Sequence, residues 1–193
     1  MISNIITAAV IAGGKAVRFG GPKIRAEFRG RKLIDYAVDL ARDIAAQVFI
    51  VNGNDLDYSE FNISTVSDIV PECGPIGGLH TALHYASTPY AAVLPADMPL
   101  LTAEVYQHLL QYLDDKRPVI ALSSKGEEPL VSIWPKTALP VFNKLIAAGD
   151  YSLRIPIKEL NAVRVNLPDV MPGYSDDIFL NINYREDLDY GQP

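Results

Sequence analysis

The chain reads as an α/β protein, a three-layer sandwich built on a Rossmann-like, mostly parallel sheet, in a single domain covering residues 1–193. Three observations carry this reading. Short continuous apolar runs alternate with amphipathic stretches, the pattern of buried parallel strands separated by covering helices. Glycine or polar residues follow directly on four of the apolar runs, at Gly13-Gly14, Asn52, Asp68 and Asp97. Finally, 193 residues with 49% hydrophobic and 21% charged content suffice for a core and are too apolar for a disordered chain.

The elements follow in order. Residues 5–11, apolar except for Thr7, predict a buried strand entering a glycine turn. Leu33, Ala37, Leu40 and Ile44 recur at helical spacing and predict the first helix. A second strand is expected at 47–51, closed by the loop signal Asn52-Gly53-Asn54, and a short one at 63–67 leads to Asp68. Residues 77–87 predict a helix of small residues and 90–95 a buried strand that ends just before Asp97. Thr102 is placed to cap a helix whose apolar side is Val105, Leu109 and Leu113. Further strands are expected at 119–122, 130–134, 163–165 and 178–182, with helices at 137–147 and 153–160. In the last strand, Asn181 and Asn183 would share one face, suited to polar ligand recognition or a water-bridged metal, or simply exposed at a strand end.

Composition excludes several classes. Cys73 is the one cysteine, so neither an internal disulfide nor a four-cysteine zinc site can form. No apolar run approaches the roughly 18 residues of a membrane span, and no basic segment precedes a leading apolar stretch, so a cytoplasmic protein without membrane contact is expected. The net charge of −6 argues against nucleic acid as a partner. That charge is uneven. Residues 15–32 hold Lys15, Arg18, Lys23, Arg25, Arg29, Arg31 and Lys32 against Glu27 alone. A basic stretch on an otherwise acidic protein suits a small polyanion, or is a solvated face without a ligand.

The most informative segment is I-A-G-G-K-A-V-R-F-G-G-P-K, from Ile11 to Lys23. Glycines let backbone N–H groups approach phosphate oxygens, and Arg18 and Lys23 add positive charge to the same loop. The spacing fits neither a dinucleotide turn nor a Walker-type phosphate loop. Asp97, a carboxylate at a strand end, is a hard oxygen ligand suited to Mg²⁺. Asp68 could bond nucleotide hydroxyls or amides, or satisfy its own turn.

This segment resembles the signature of the nucleotidyltransferase superfamily, whose fold is the nucleotide-diphospho-sugar transferase or glycosyltransferase-A-like one. The rest of the chain is similar to the molybdenum cofactor guanylyltransferases, the molybdopterin-guanine dinucleotide biosynthesis protein A family. The supporting marks are Val51-Asn52, Asp68 ahead of Gly74-Pro75-Ile76-Gly77-Gly78, Ala96-Asp97-Met98-Pro99, Glu128-Pro129-Leu130 and Asn181-Ile182-Asn183. Two departures stand out. Pro22 occupies a position where that family commonly has Asp, proline there being found among related cytidylyltransferases, and Phe19 stands where Met is common.

The resemblance implies transfer of GMP from GTP to the terminal phosphate of molybdopterin, with Mg²⁺ as cofactor. It implies catalytic roles for Lys23, Arg18 and Asp97, with Asp97 the metal ligand, and substrate contacts from Ile11, Ala12, Gly13, Gly14, Asn52, Asp68, Asn181 and Asn183. Other cofactor-biosynthesis proteins or chaperones of acceptor molybdoenzymes are the implied protein partners. Rival readings are a cytidylyl- or sugar-1-phosphate nucleotidyltransferase and, from another class, a non-catalytic nucleotide-binding adaptor. Cys73 reads as a buried or loop thiol, His80 and His84 as helix decoration, and Trp134 as core.

Overall fold

The computed structural model describes residues 3–13, 19, 23–53 and 56–190. A seven-stranded sheet runs through it in the order β5-β4-β1-β6-β8-β7-β9. Its strands are β1 (Ser3–Ile11), β4 (Ala45–Asn52), β5 (Ser64–Ser67), β6 (Tyr90–Pro95), β7 (Val119–Ser123), β8 (Gly126–Pro135) and β9 (Val163–Asn166). β8 runs against both its neighbours, while the other pairings are parallel. A two-stranded ribbon, β2 (Glu27–Phe28) and β3 (Arg31–Lys32), stands apart from it.

Two apolar layers sandwich the sheet. One lies under α1 (Leu33–Ile44), α3 (Ala103–Leu110) and α6 (Leu167–Val170), the other under α2 (Pro75–Tyr85), α4 (Leu139–Ala147) and α5 (Arg154–Glu159). Strand alternation feeds both layers. In β6, Ala92 and Leu94 face the first layer and Ala91 and Val93 the second, all fully buried. Burying each such Val or Leu side chain contributes about 1.5–3 kcal/mol, which is why β6 holds its end rigidly in place. The two large polar aromatics of the core find partners: Tyr106 Oη donates to the Val93 carbonyl at 2.6 Å, and Trp134 Nε1 to Ser132 Oγ at 2.8 Å. No described helix is long and apolar enough to cross a membrane.

Several expectations need correction. The strand expected at 178–182 does not form. Its apolar residues Ile178, Phe179, Leu180 and Ile182 are real, but Ser175 caps a 3-10 turn, Asp176–Phe179, by accepting from the Asp177 amide, and the segment joins no ladder. The common face of Asn181 and Asn183 goes with it. Thr102 sits at the N-cap of α3, yet its side chain makes no capping bond. α2 starts two residues earlier than expected because Pro75, whose missing N–H costs nothing in a first turn, opens it. His80 is buried within α2 and hydrogen-bonded to Asn143 Oδ1 at 2.8 Å, so it packs α2 on α4 rather than decorating a surface.

Candidate active site

The carboxyl ends of adjacent strands come level with one another. Ile11 of β1 lies opposite Val51 of β4 and Pro95 of β6, and Asn52 lies opposite Ser67 of β5. The residues that follow these strands therefore stand in a row along one edge, where ligands of open α/β sheets bind. Backbone bonds continue just past the strands: the Ala12 amide donates to Val51 O at 2.9 Å and the Ala96 amide to Ile11 O at 3.2 Å. Gly13 lets the β1 and β4 turns approach closely. A Cβ on it would stand 3.0 Å from the Gly53 backbone and 3.8 Å from Asp68 Oδ2, so a side chain there would require the β4 turn to give way by a few tenths of an ångström.

On the other side of β1, two charges meet. Lys23 opens a 3-10 turn, Lys23–Arg25, anchored by buried Ile24. Its Nζ lies 2.6 Å from Asp97 Oδ2 and 3.4 Å from Asn183 Oδ1. The Ile182 amide donates to the Asp97 carbonyl at 2.9 Å. The arrangement is held by a small apolar cluster of Phe19, Phe28, Leu33 and Ile182, with Arg185 Nε donating to Phe19 O at 3.2 Å. Residues far apart in sequence are thus locked around one lysine and one carboxylate. The two side chains remain partly exposed, at 17% and 24%, so an anion can take the lysine and leave the carboxylate to a cation.

Asp68 differs in kind. Its Oδ1 is buried with no hydrogen-bond partner, and burial pushes its carboxyl above the usual range. The turn beyond it is held by Thr81, whose Oγ1 accepts from the Ile69 amide at 3.1 Å, so Asp68 is not spent on its own turn. An unpaired buried oxygen disfavours the charged form, hence folding becomes less favourable as pH rises above the ordinary value of 3.8. Asp68→Asn should therefore melt at or above the wild-type temperature at pH 7. That advantage should fade as pH drops below about 4, where the carboxyl is protonated in both states. The same variant should bind nucleotide more weakly. A melt clearly below wild type at pH 7 would contradict this picture.

Other expected residues fall into place unevenly. Asn52 Nδ2 donates to Leu56 O at 2.9 Å and so shapes the loop beyond β4. Asn181 Oδ1 is buried without a partner, next to the residue that bonds Asp97. Gly14 and Arg18 lie outside the described residues. The basic stretch is less available than its sequence implied. Arg25 pairs with Glu60 at 2.6 Å, Arg31 with Asp39 at 2.5 Å, and Lys32 reaches Glu60 at 3.5 Å. Among the described residues of this stretch, Lys23 is the cation that faces Asp97.

A groove of about 800 Å³ lined by Thr7, Gln47, Phe49 and Ser64 lies at the opposite ends of these strands. Its cation, Arg42, already donates to Phe61 O at 2.7 Å. The row at the carboxyl edge is the better candidate on chemistry.

That row sets the Lys23 ammonium and the Asp97 carboxylate beyond the Gly13 turn, charges suited to a phosphate group and a cation. Residues 8–163 match the family model described as a MobA-like NTP transferase domain. The chain belongs to this family. Among MobA-like relatives, a probable molybdenum cofactor guanylyltransferase of Aquifex aeolicus is 32% identical over 187 residues, covering 97% of this chain and 90% of its own. The molybdenum cofactor guanylyltransferase of Vibrio vulnificus is 27% identical over 197 residues, covering 100% of this chain and 98% of its own. The crystal structure of molybdopterin-guanine dinucleotide biosynthesis protein A from Archaeoglobus fulgidus superposes with a TM-score of 0.79 at 25% identity, over 94% of each chain. The α/β fold and the nucleotidyltransferase class expected from sequence both stand.

Sequence reasoning missed a second polar group in this MobA-like chain, around the turn between β7 and β8. Asp176 accepts hydrogen bonds from Ser124 Oγ and Tyr174 Oη, and Ser123 Oγ donates to Glu128 Oε1 at 2.9 Å. The signal was present in Glu128-Pro129-Leu130, but nothing in the sequence linked it to a turn or to Asp176.

Proposed function

We propose that this chain transfers the guanylyl group of GTP to the terminal phosphate of molybdopterin, releasing pyrophosphate. The reading rests on the Lys23–Asp97 pair at the end of β6, beside the close-packed glycine turn of β1. In the reaction an acceptor phosphate oxygen bonds to the α-phosphorus of GTP while the bond from that phosphorus to the β-phosphate bridging oxygen breaks. No covalent enzyme intermediate is needed, so positioning and charge neutralisation carry the catalysis.

The Ala12 and Gly13 turn approaches the nucleotide phosphates, with Lys23 and Arg18 neutralising them. Asn52 and Asp68 face the base or ribose, and Asn181 and Asn183 lie toward the acceptor. The donor set fits Mg²⁺. This ion binds through one or two carboxylates plus waters and substrate phosphates rather than an all-protein cage. Among the described residues no three His, Cys, Asp or Glu side chains gather, and Asp97 with Lys23 beside it is the carboxylate offered here. Bound there, Mg²⁺ would supply charge stabilisation on the phosphate oxygens. We assign the step to the cytoplasm, with the product passing to other cofactor-biosynthesis proteins or to chaperones of acceptor molybdoenzymes.

The test is label transfer. With GTP labelled at the α-phosphate, molybdopterin and Mg²⁺, the label should appear in a guanine dinucleotide, with one pyrophosphate released per turnover. Release of pyrophosphate without labelled dinucleotide would overturn the assignment.

A further inference from the structure

Sheet order sorts the site into halves. Asp68, Asn52 and Gly13 follow β5, β4 and β1, a span of roughly 10 Å at about 4.8 Å per strand, and Asp97 follows β6 next door. β8 is the next strand beyond β6. Its antiparallel direction brings its first half, not its last, to the same edge. The ladder between β7 and β8 is interrupted there: Ala121 lies opposite Glu128 while its neighbour Ile120 lies opposite Ser132. Pro129, Leu130 and Val131 therefore bulge from the ladder, a device that re-aims side chains beside active sites.

Glu128 sits at the start of this bulge. Its neighbour Glu127 is neutralised by Arg164 at 2.6 Å. Glu128 is half-buried, its Oε1 is fixed by Ser123, and it makes no ion pair among the described residues. Its carboxyl is pushed up by burial and by the charge of Asp176, against the Ser123 bond and Lys125. The segment from Tyr174 to Asn183 links this corner to the reaction centre. Asp176 bonds Ser124, and six residues later Ile182 bonds Asp97, a separation of at most about 20 Å even if fully extended. A partly desolvated, oriented carboxylate without a cation is costly and is characteristic of binding sites.

Resting on guanylyl transfer to molybdopterin as the activity, we infer that Glu128 recognises the acceptor, its carboxylate receiving the paired N–H donors of a 2-amino-4-oxo pyrimidine edge. Guanine and the pterin of molybdopterin both carry that edge. The place of Glu128 beyond β6, away from Asp68 and Asn52, assigns it to the pterin.

The experiment compares wild type with Glu128→Gln and Glu128→Asp, measuring KM for molybdopterin and for GTP separately, with melting temperatures as a fold control. Gln keeps the shape and replaces one acceptor oxygen with a donor, so KM for molybdopterin should rise about tenfold or more. KM for GTP and the melt should stay unchanged. Asp, shorter by one methylene, should fall between the two. A rise confined to KM for GTP would place Glu128 on the donor guanine and overturn the inference. So would a change of melting temperature with both KM values unmoved, which would make Glu128 a tie for the turn. If wild-type protein makes no guanine dinucleotide, it is the function itself that fails, independently of Glu128.

Discussion

Asp97→Asn should cut turnover by at least about 100-fold, the scale on which removal of one preorganised electrostatic group acts. The fold should survive. Asp97 is bonded to the rest of the protein through its carbonyl, by the Ile182 amide, and that bond is untouched. The lost ion pair is partly exposed, and such pairs contribute only about 0–1 kcal/mol. GTP binding without Mg²⁺ should be as strong as in wild type or stronger, because Lys23 no longer has a carboxylate to leave. The checks are steady-state rates with Mg²⁺, a thermal melt, and nucleotide titration in chelator. Near-normal Mg²⁺-dependent turnover would remove Asp97 from the chemistry.

Lys23→Ala should act on the same scale from the opposite charge. Without it, the triphosphate meets the Asp97 carboxylate without the ammonium between them, and kcat/KM for GTP should fall by about 100-fold. Lys23→Arg should restore only part of this. A planar guanidinium carries its charge in a fixed fork, whereas the ammonium is compact and sits 2.6 Å from Asp97. Lys116→Ala is the control, since Lys116 is exposed beyond α3. Equal losses at Lys23 and Lys116 would reduce the basic stretch to a solvated face.

How far the sequence reached differs by element. β1, β4 and β6 were legible because strands buried on both sides read as near-continuous apolar runs, as 8–11, 48–51 and 91–94 do. Lys23 and Asp97 were legible by residue type and position. Their contact was not, because it joins residues 74 apart through a fold the local pattern does not describe. The direction of β8 was hidden for a related reason: a buried strand reads alike in either direction. Residues 178–182 misled because they are mostly apolar, while the turn-favouring Ser175 and Asp176 just before them decided the backbone. Counting charge within the basic stretch could not show that Glu60 and Asp39, outside it, pair with Arg25 and Arg31, with Lys32 also reaching Glu60. His80 looked like surface because its partner, Asn143, lies 63 residues away.

Two signals in the sequence point to different donor bases, Gly74-Pro75-Ile76-Gly77-Gly78 to guanine and Pro22 to cytosine. Gly77 and Gly78 pack α2 tightly, a Cβ on Gly78 falling 3.1 Å from the Ile11 side chain, so the first segment stands at the carboxyl end of β1, whereas Pro22 is next in sequence to Lys23. A site shaped to a base's donors and acceptors leaves buried polar groups unpaired with the wrong base, at roughly 1–3 kcal/mol each. The most direct test is the ratio of kcat/KM for GTP to that for CTP, measured with molybdopterin as acceptor. Two such groups predict a ratio of about 100 or more in favour of GTP; a ratio near one, or one favouring CTP, would contradict the assignment.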